Sequence, residues 1–244
     1  MSDNELQLTM SPTGFQAAWY ASDLGRFRPC GGTYEVYPHE SVPPLDPGRF
    51  TGSFDWLGGV GSPEPEQADR LGRLAESLSA LGLTLPGDFV AFQTAANLHD
   101  RLDQVSVTAC WSDISDPLPS PVEDGARLVR FLRDQQDCVF WYLYLRPSGE
   151  TFVVFSGVDY EEYAARKADG EEKSGDEASR HREAHRRAIG WCAPTFEEFA
   201  YRFWVENRIW YTVQGADLSG LEPELRDYLS HYAPPEAASV EGGC

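Results

Sequence analysis

The chain has 244 residues, enough for one full hydrophobic core or for a domain with a substantial extension, and its 41% hydrophobic and 13% aromatic content is that of a folded protein. Against 20 Lys and Arg stand 39 Asp and Glu, a formal charge of −19, so the surface repels phosphate backbones and anionic lipid, and nucleic-acid and membrane binding are disfavoured. No stretch approaches the ~20 consecutive apolar residues of a membrane helix. Met1 to Pro12 carries Asp3 and Glu5 where a secretory leader has bases, so a cytoplasmic location is expected.

Residues 1–65 are punctuated by Cys30-Gly31-Gly32, Val42-Pro43-Pro44, Pro47-Gly48 and Ser62-Pro63-Glu64-Pro65. This stretch reads as an N-terminal extension, yet Trp19, Tyr34, Phe54 and Trp56 are too apolar for a solvated tail, so it should pack on the main domain as loops and short strands. The Ser62–Pro65 run is the expected boundary, and the domain proper follows over 66–233.

Leu71, Leu74, Ala75, Leu78 and Leu81 recur at helical spacing and Gly82 follows as a cap, predicting a helix over 67–81. In Leu85-Pro86-Gly87-Asp88-Phe89, Pro86 opens a second short helix with Phe89 and Phe92 on one face. The alternation of Val105, Val107, Ala109 and Trp111 predicts a half-buried strand over 105–111. Leu128, Val129 and Leu132 predict a helix over 125–134. The unbroken run Cys138 to Leu145 suits a central strand covered on both faces. Arg146-Pro147-Ser148-Gly149 has turn chemistry, and 151–156 returns as T-F-V-V-F-S, completing an antiparallel hairpin.

From 159 to 188 charge replaces apolar periodicity, predicting an exposed insertion that is transiently helical. Thr195-Phe196-Glu197-Glu198 is a capping box, and Phe196, Phe199, Ala200, Phe203 and Trp204 form the apolar stripe of the helix it opens. A last helix carries Leu221, Leu225, Tyr228, Leu229 and Tyr232, and residues 234–244 read as a frayed tail.

The chemistry is sparse. The lysines, Lys167 and Lys173, lack P-loop spacing, Gly58-Gly59-Val60-Gly61 lacks the third glycine of a dinucleotide fingerprint, and no Gly-x-Ser-x-Gly elbow is present. The five cysteines, Cys30, Cys110, Cys138, Cys192 and Cys244, form no C-x-x-C pair; the three within apolar runs are read as buried core thiols. His181 and His185 would share a helix face and could hold a metal with Glu177 or Cys192. Arg182 occupies the place of the zincin glutamate, however, and both imidazoles are read as lying on a solvated face. No catalytic residue, metal site or cofactor is predicted.

One set of segments is familiar as a set. An amphipathic helix precedes Leu85-Pro86-Gly87-Asp88-Phe89 through Phe92. A sheet then ends in Trp141-Tyr142-Leu143-Tyr144-Leu145 with Gly149 and Val153-Val154, and Phe196-Glu197-Glu198-Phe199 opens a closing helix. Over about 67–232 this resembles the SUKH superfamily, the Smi/Knr-type cell-wall-assembly regulator-like and Syd-like proteins, whose bacterial members are often toxin-immunity proteins. The Leu-Pro-x-Asp-Phe step carries most of the likeness.

The resemblance implies an α+β fold, a central antiparallel sheet flanked by helices, and binding rather than catalysis. It points to an immunity protein whose acidic surface occludes a basic toxin, where charge complementarity speeds and selects association. Trp111 and Asp113, at a predicted strand end, and Trp191, ahead of the capping box, are the candidate partner-binding residues, because a tryptophan beside acid suits an interface anchor. Core packing is the alternative for both tryptophans. A regulatory scaffold of cell-wall assembly or signalling and a metal-dependent hydrolase using His181 and His185 are the competing functions.

Overall fold

The computed structural model describes residues 9–168, 175–213 and 220–232. The fold is α+β, built on one eight-stranded sheet that is antiparallel apart from a single parallel pair. Its strands are β1 (Gln16–Ala21), β2 (Glu35–Pro38), β3 (Cys110–Ser112), β4 (Leu118–Pro119), β5 (Arg127–Asp134), β6 (Phe140–Leu145), β7 (Thr151–Ser156) and β8 (Ile189–Ala193). The order across the sheet is β2-β1-β8-β7-β6-β5-β3, with β4 also on β5. The helices are α1 (Pro65–Ser79), α2 (Gly87–Thr94), α3 (Arg101–Val105), α4 (Tyr160–Ala168), α5 (Asp176–Ala188), α6 (Phe196–Val213) and α7 (Pro223–Ser230).

Strand β6 is the centre the sequence predicts, with all six residues buried. Successive strand side chains point to opposite faces. Trp141, Leu143 and Leu145 therefore enter the core under α1, α2 and α6, while Phe140, Tyr142 and Tyr144 enter a second core with Tyr160 of α4. The β6–β7 turn needs a left-handed residue, and Gly149 supplies it at φ 87° while donating its amide to Arg146 O. Helix α1 buries Leu71, Leu74 and Leu78, and Gly82 at φ 73° ends it.

The Leu-Pro-x-Asp-Phe step is a structural joint. Asp88 Oδ1 accepts its neighbour Phe89 N at 2.8 Å, and Asp88 Oδ2 accepts Glu197 N at 2.9 Å in the first turn of α6. Phe89 meets Phe196 edge-on at 5.0 Å, and Phe131 meets both Phe196 and Phe199 at 5.2 Å. In the capping box Thr195 Oγ1 accepts Glu198 N at 3.1 Å. The Glu197 carboxylate, itself buried, accepts Gly52 N, Phe54 N and the Trp56 indole N–H. Asp88→Ala is expected to lower stability by about 1–2 kcal/mol. Urea midpoints should show that loss, whereas Asp69→Ala on the exposed face of α1 should stay within about 0.5 kcal/mol of the parent.

Five expectations need correction. Residues 125–134 form strand β5 instead of a helix, because a bulge between Arg130 and Leu132 turns Phe131 and Leu132 to one face and imitates helical spacing. The strand expected over 105–111 shrinks to Cys110–Ser112. Val105 ends α3, the Val107 amide is taken by Asn207 Oδ1, and Ala109 is left-handed at φ 53°. The charged stretch 159–188 supplies α4 and α5, which cover one face of the sheet; its residues 169–174 lie outside those described, as does the tail 234–244. His185 is buried against Tyr160 and Tyr163 instead of solvated, with His181 stacked on Tyr163. Cys138 is exposed, while Cys110 and Cys192 are buried core thiols whose pKa values burial pushes up.

Residues 9–65 are woven into the same sheet. β1 lies between β2 and β8, and Trp19 and Phe54 share a core with Leu71 and Trp141. Ser62–Pro65 therefore joins parts of one core. Helix α6 is buried on nearly all sides, and its outer flank packs on α7 and Leu24 through Tyr201, Val205 and Ile209.

Candidate interaction surface

Strand β3 is one edge of the sheet, and its short length limits unwanted pairing. Trp111 on this strand is half-buried, opposite Arg133 of β5, whose guanidinium lies 4.4 Å over the indole. One residue beyond β3, Asp113 Oδ2 receives Arg133 Nε at 2.8 Å and Arg130 at 3.0 Å. Arg133 also pairs with Asp137 in the β5–β6 turn. Arg130 reaches on to Asp159 at 3.1 Å and Glu161 at 2.7 Å, where α4 begins.

Arg130 organises this surface. Its side chain is only 7% exposed and passes within 5.9 Å of the Phe140 ring, so its charge has left bulk water. Burial opposes that charge, but Asp113, Glu161 and Asp159 outweigh it and hold the guanidinium above its ordinary pKa. Asp159 Oδ1 also accepts Glu161 N at 2.9 Å, which fixes the start of α4 to the sheet. Four carboxylates thus share two guanidiniums, leaving a fixed excess of negative charge beside a half-buried indole.

Of the sequence-predicted residues, Trp111 and Asp113 come together here. Trp191 does not join them: it sits on β8, four strand spacings or roughly 19 Å away. There it packs against His39 with ring centroids 4.8 Å apart. Its indole N–H and His39 Nε2 are both buried with no hydrogen-bond partner among the described residues, and burial, aided by Arg202, pushes the His39 pKa down to about 4. Trp191 is thus mainly a packing residue. Arg130, Arg133, Asp137, Asp159 and Glu161 escaped the sequence reading. Arg130 had a visible signal, because a charge inside Leu128-Val129-Arg130-Phe131-Leu132 must find partners if that run is buried.

His181 and His185 lie 4.4 Å apart by ring centroids, and Tyr160 Oη is 3.4 Å from His185 Nδ1. Among the described residues no group of three or more His, Cys, Asp or Glu is placed to hold a metal ion. No helix among them is long and apolar enough to cross a membrane. No family model, no curated protein and no solved structure matches this chain.

Proposed function

We propose that this chain is a cytoplasmic protein-binding domain that acts by occupying a basic partner protein rather than by catalysis, in the manner of the immunity proteins its sequence resembles. The docking surface is the β3 edge with the β5–β6 turn and the start of α4. One observation carries this reading: a buried guanidinium, Arg130, holds Asp113, Asp159 and Glu161 in fixed positions beside Trp111. Pre-placed carboxylates need little reorganisation when a cationic surface arrives, and their summed field accelerates encounter.

The test compares proteins captured from the native lysate by the parent chain and by Asp137→Lys/Glu161→Lys, two exposed positions on this edge. A control pair, Glu66→Lys/Asp69→Lys, makes the same charge change on α1. The expected result is a basic protein that elutes as salt rises and is lost with the edge variant alone. Equal capture by both variants, or an acidic partner, would count against it.

A further inference from the structure

Arginines in this protein repeatedly sit over an aromatic ring while paired with a carboxylate. Arg133 lies 4.4 Å over Trp111 with Asp113, Arg208 lies 4.6 Å over Trp204 with Glu222, and Arg49 lies 4.8 Å over Tyr201 with Glu224. Arg28, buried, lies 4.5 Å over Tyr37 with Glu206. The recurrence has a physical basis, since a guanidinium is planar, stacks on a ring face and still directs its N–H groups sideways to a carboxylate.

One cleft has the ring and the carboxylates of this arrangement and no cation of its own. It encloses about 410 Å³ between the loop after β1, the segment leading into β3, the β5–β6 turn and the end of α6. Trp210, Asp23, Asp134, Gln136 and Thr108 are among its walls, and among the described residues no Lys or Arg lines it. A volume of this order falls within the range of small-ligand sites.

Asp134 is 2% exposed, and its Oδ1 is taken by Cys138 N and Val139 N at 2.7 and 3.1 Å, so it contributes a fixed buried charge. Asp23 is freer. Its Oδ1 accepts Cys30 N at 2.9 Å, and its Oδ2 makes no hydrogen bond among the described residues. Val107–Ala109 run directly into β3, and Asp134–Gln136 lead to Asp137, so the cleft lies at the same edge of the sheet as Trp111, on the opposite face, where α6 packs.

We propose that this cleft receives an arginine side chain of the partner protein, its guanidinium stacked on Trp210 and paired with Asp23 Oδ2. The proposal deepens the docking reading and rests on it, by naming the anchor residue that a basic partner supplies. A lysine would fit less well, because an ammonium keeps its hydration more tightly and cannot match ring and carboxylate in one plane.

The probe is Nα-acetyl-arginine methylamide, titrated into the full chain and followed by indole and amide nitrogen-15 NMR, with the lysine and norleucine analogues as comparisons. Saturable shifts are expected at the Trp210 indole and at the amides of Thr33, Thr108 and Ala109. The lysine analogue should bind at least about threefold more weakly. Asp23→Asn, which keeps an oxygen for Cys30 N, should weaken the arginine probe about tenfold, and Trp210→Leu should abolish the response. An unshifted Trp210 indole at saturating probe, or an equal response to norleucine, would overturn the proposal. If the arginine probe binds here while Asp137→Lys/Glu161→Lys still captures the partner, the cleft stands and the docking edge falls. The opposite pattern removes the cleft and leaves the edge.

Discussion

Glu206→Gln is expected to destabilise the fold by about 3–5 kcal/mol, the cost of leaving a buried guanidinium without its counter-charge. Glu206 is 2% exposed on α6, and both its oxygens are engaged. Arg28 donates to Oε1 at 2.6 Å and to Oε2 at 2.7 Å, Tyr228 Oη donates to Oε1 at 2.6 Å, and the Trp19 indole donates to Oε2 at 2.7 Å. These donors come from β1, the loop after it and α7, so one carboxylate ties three parts of the chain to α6. For a chain of this size the melting temperature should fall by roughly 10 °C or more. Replacing the pair together, Arg28→Met with Glu206→Leu, should recover part of the loss, because the Arg28 charge is removed with its partner, while buried Arg202, the Tyr228 hydroxyl and the Trp19 indole still lose the Glu206 carboxylate.

The same group sets a pH dependence. Burial pushes the Glu206 carboxyl up, but the Arg28 charge and the hydrogen bonds from Arg28, Tyr228 and Trp19 outweigh it and hold the group below the usual range. A carboxyl depressed in the folded state contributes its full stabilisation above its unfolded pKa and loses it as pH falls toward the folded value. Glu198, pushed up by burial, works in the opposite sense, so the total curve mixes both. The difference between the parent and Glu206→Gln isolates Glu206. Urea midpoints between neutral pH and the acid limb should show that difference shrinking as pH falls, and a constant gap would contradict the assignment.

Arg130→Met should cost about 2–3 kcal/mol, less than Glu206→Gln because the carboxylates it leaves behind reach water and can be rehydrated. Their side-chain exposures are 29% for Asp113, 30% for Asp159 and 54% for Glu161. The larger consequence is functional. Without the guanidinium, Asp113 and Asp159 no longer share a fixed centre, and the start of α4 loses its tie to β5. Binding of a basic partner should weaken even though the variant gains net negative charge. Tighter binding by Arg130→Met would mean that charge alone, and not its placement, drives association.

Those two arginines mark the line between what the sequence discloses and what it conceals. β6, the β6–β7 hairpin, α1 and the start of α6 were legible because each depends on local pattern: an unbroken apolar run, a Pro-Gly turn, a 3.6-residue repeat and a capping threonine. β5 was not legible, since its bulge gives Val129, Phe131 and Leu132 a common face that no period-2 reading anticipates. The place of β1 depends on parallel pairing of Gln16 with Gly190 and Ala17 with Trp191, partners separated by most of the chain. α4 and α5 hid behind their charge, because among the described residues few side chains turn inward from them, Tyr160, Tyr163, Ala164 and His185 among these.

The candidate surface was half legible for the same reason. Trp111 and Asp113 were read from a local motif of tryptophan beside acid. Asp137, Asp159 and Glu161 join them only because β3, β5 and α4 meet in space around Arg130. Trp191 stands six residues ahead of Glu197 in the capping box, and only the strand order shows how far it lies from Trp111.

The most direct test of this account is hydrogen–deuterium exchange on the complex with whichever basic protein the chain retains. Protection gained on binding should concentrate at β3, the β5–β6 turn and the first turn of α4, and Asp137→Lys/Glu161→Lys should abolish it. Protection centred on the β2 edge or on the exposed face of α1, with the Trp111 region unchanged, would contradict it.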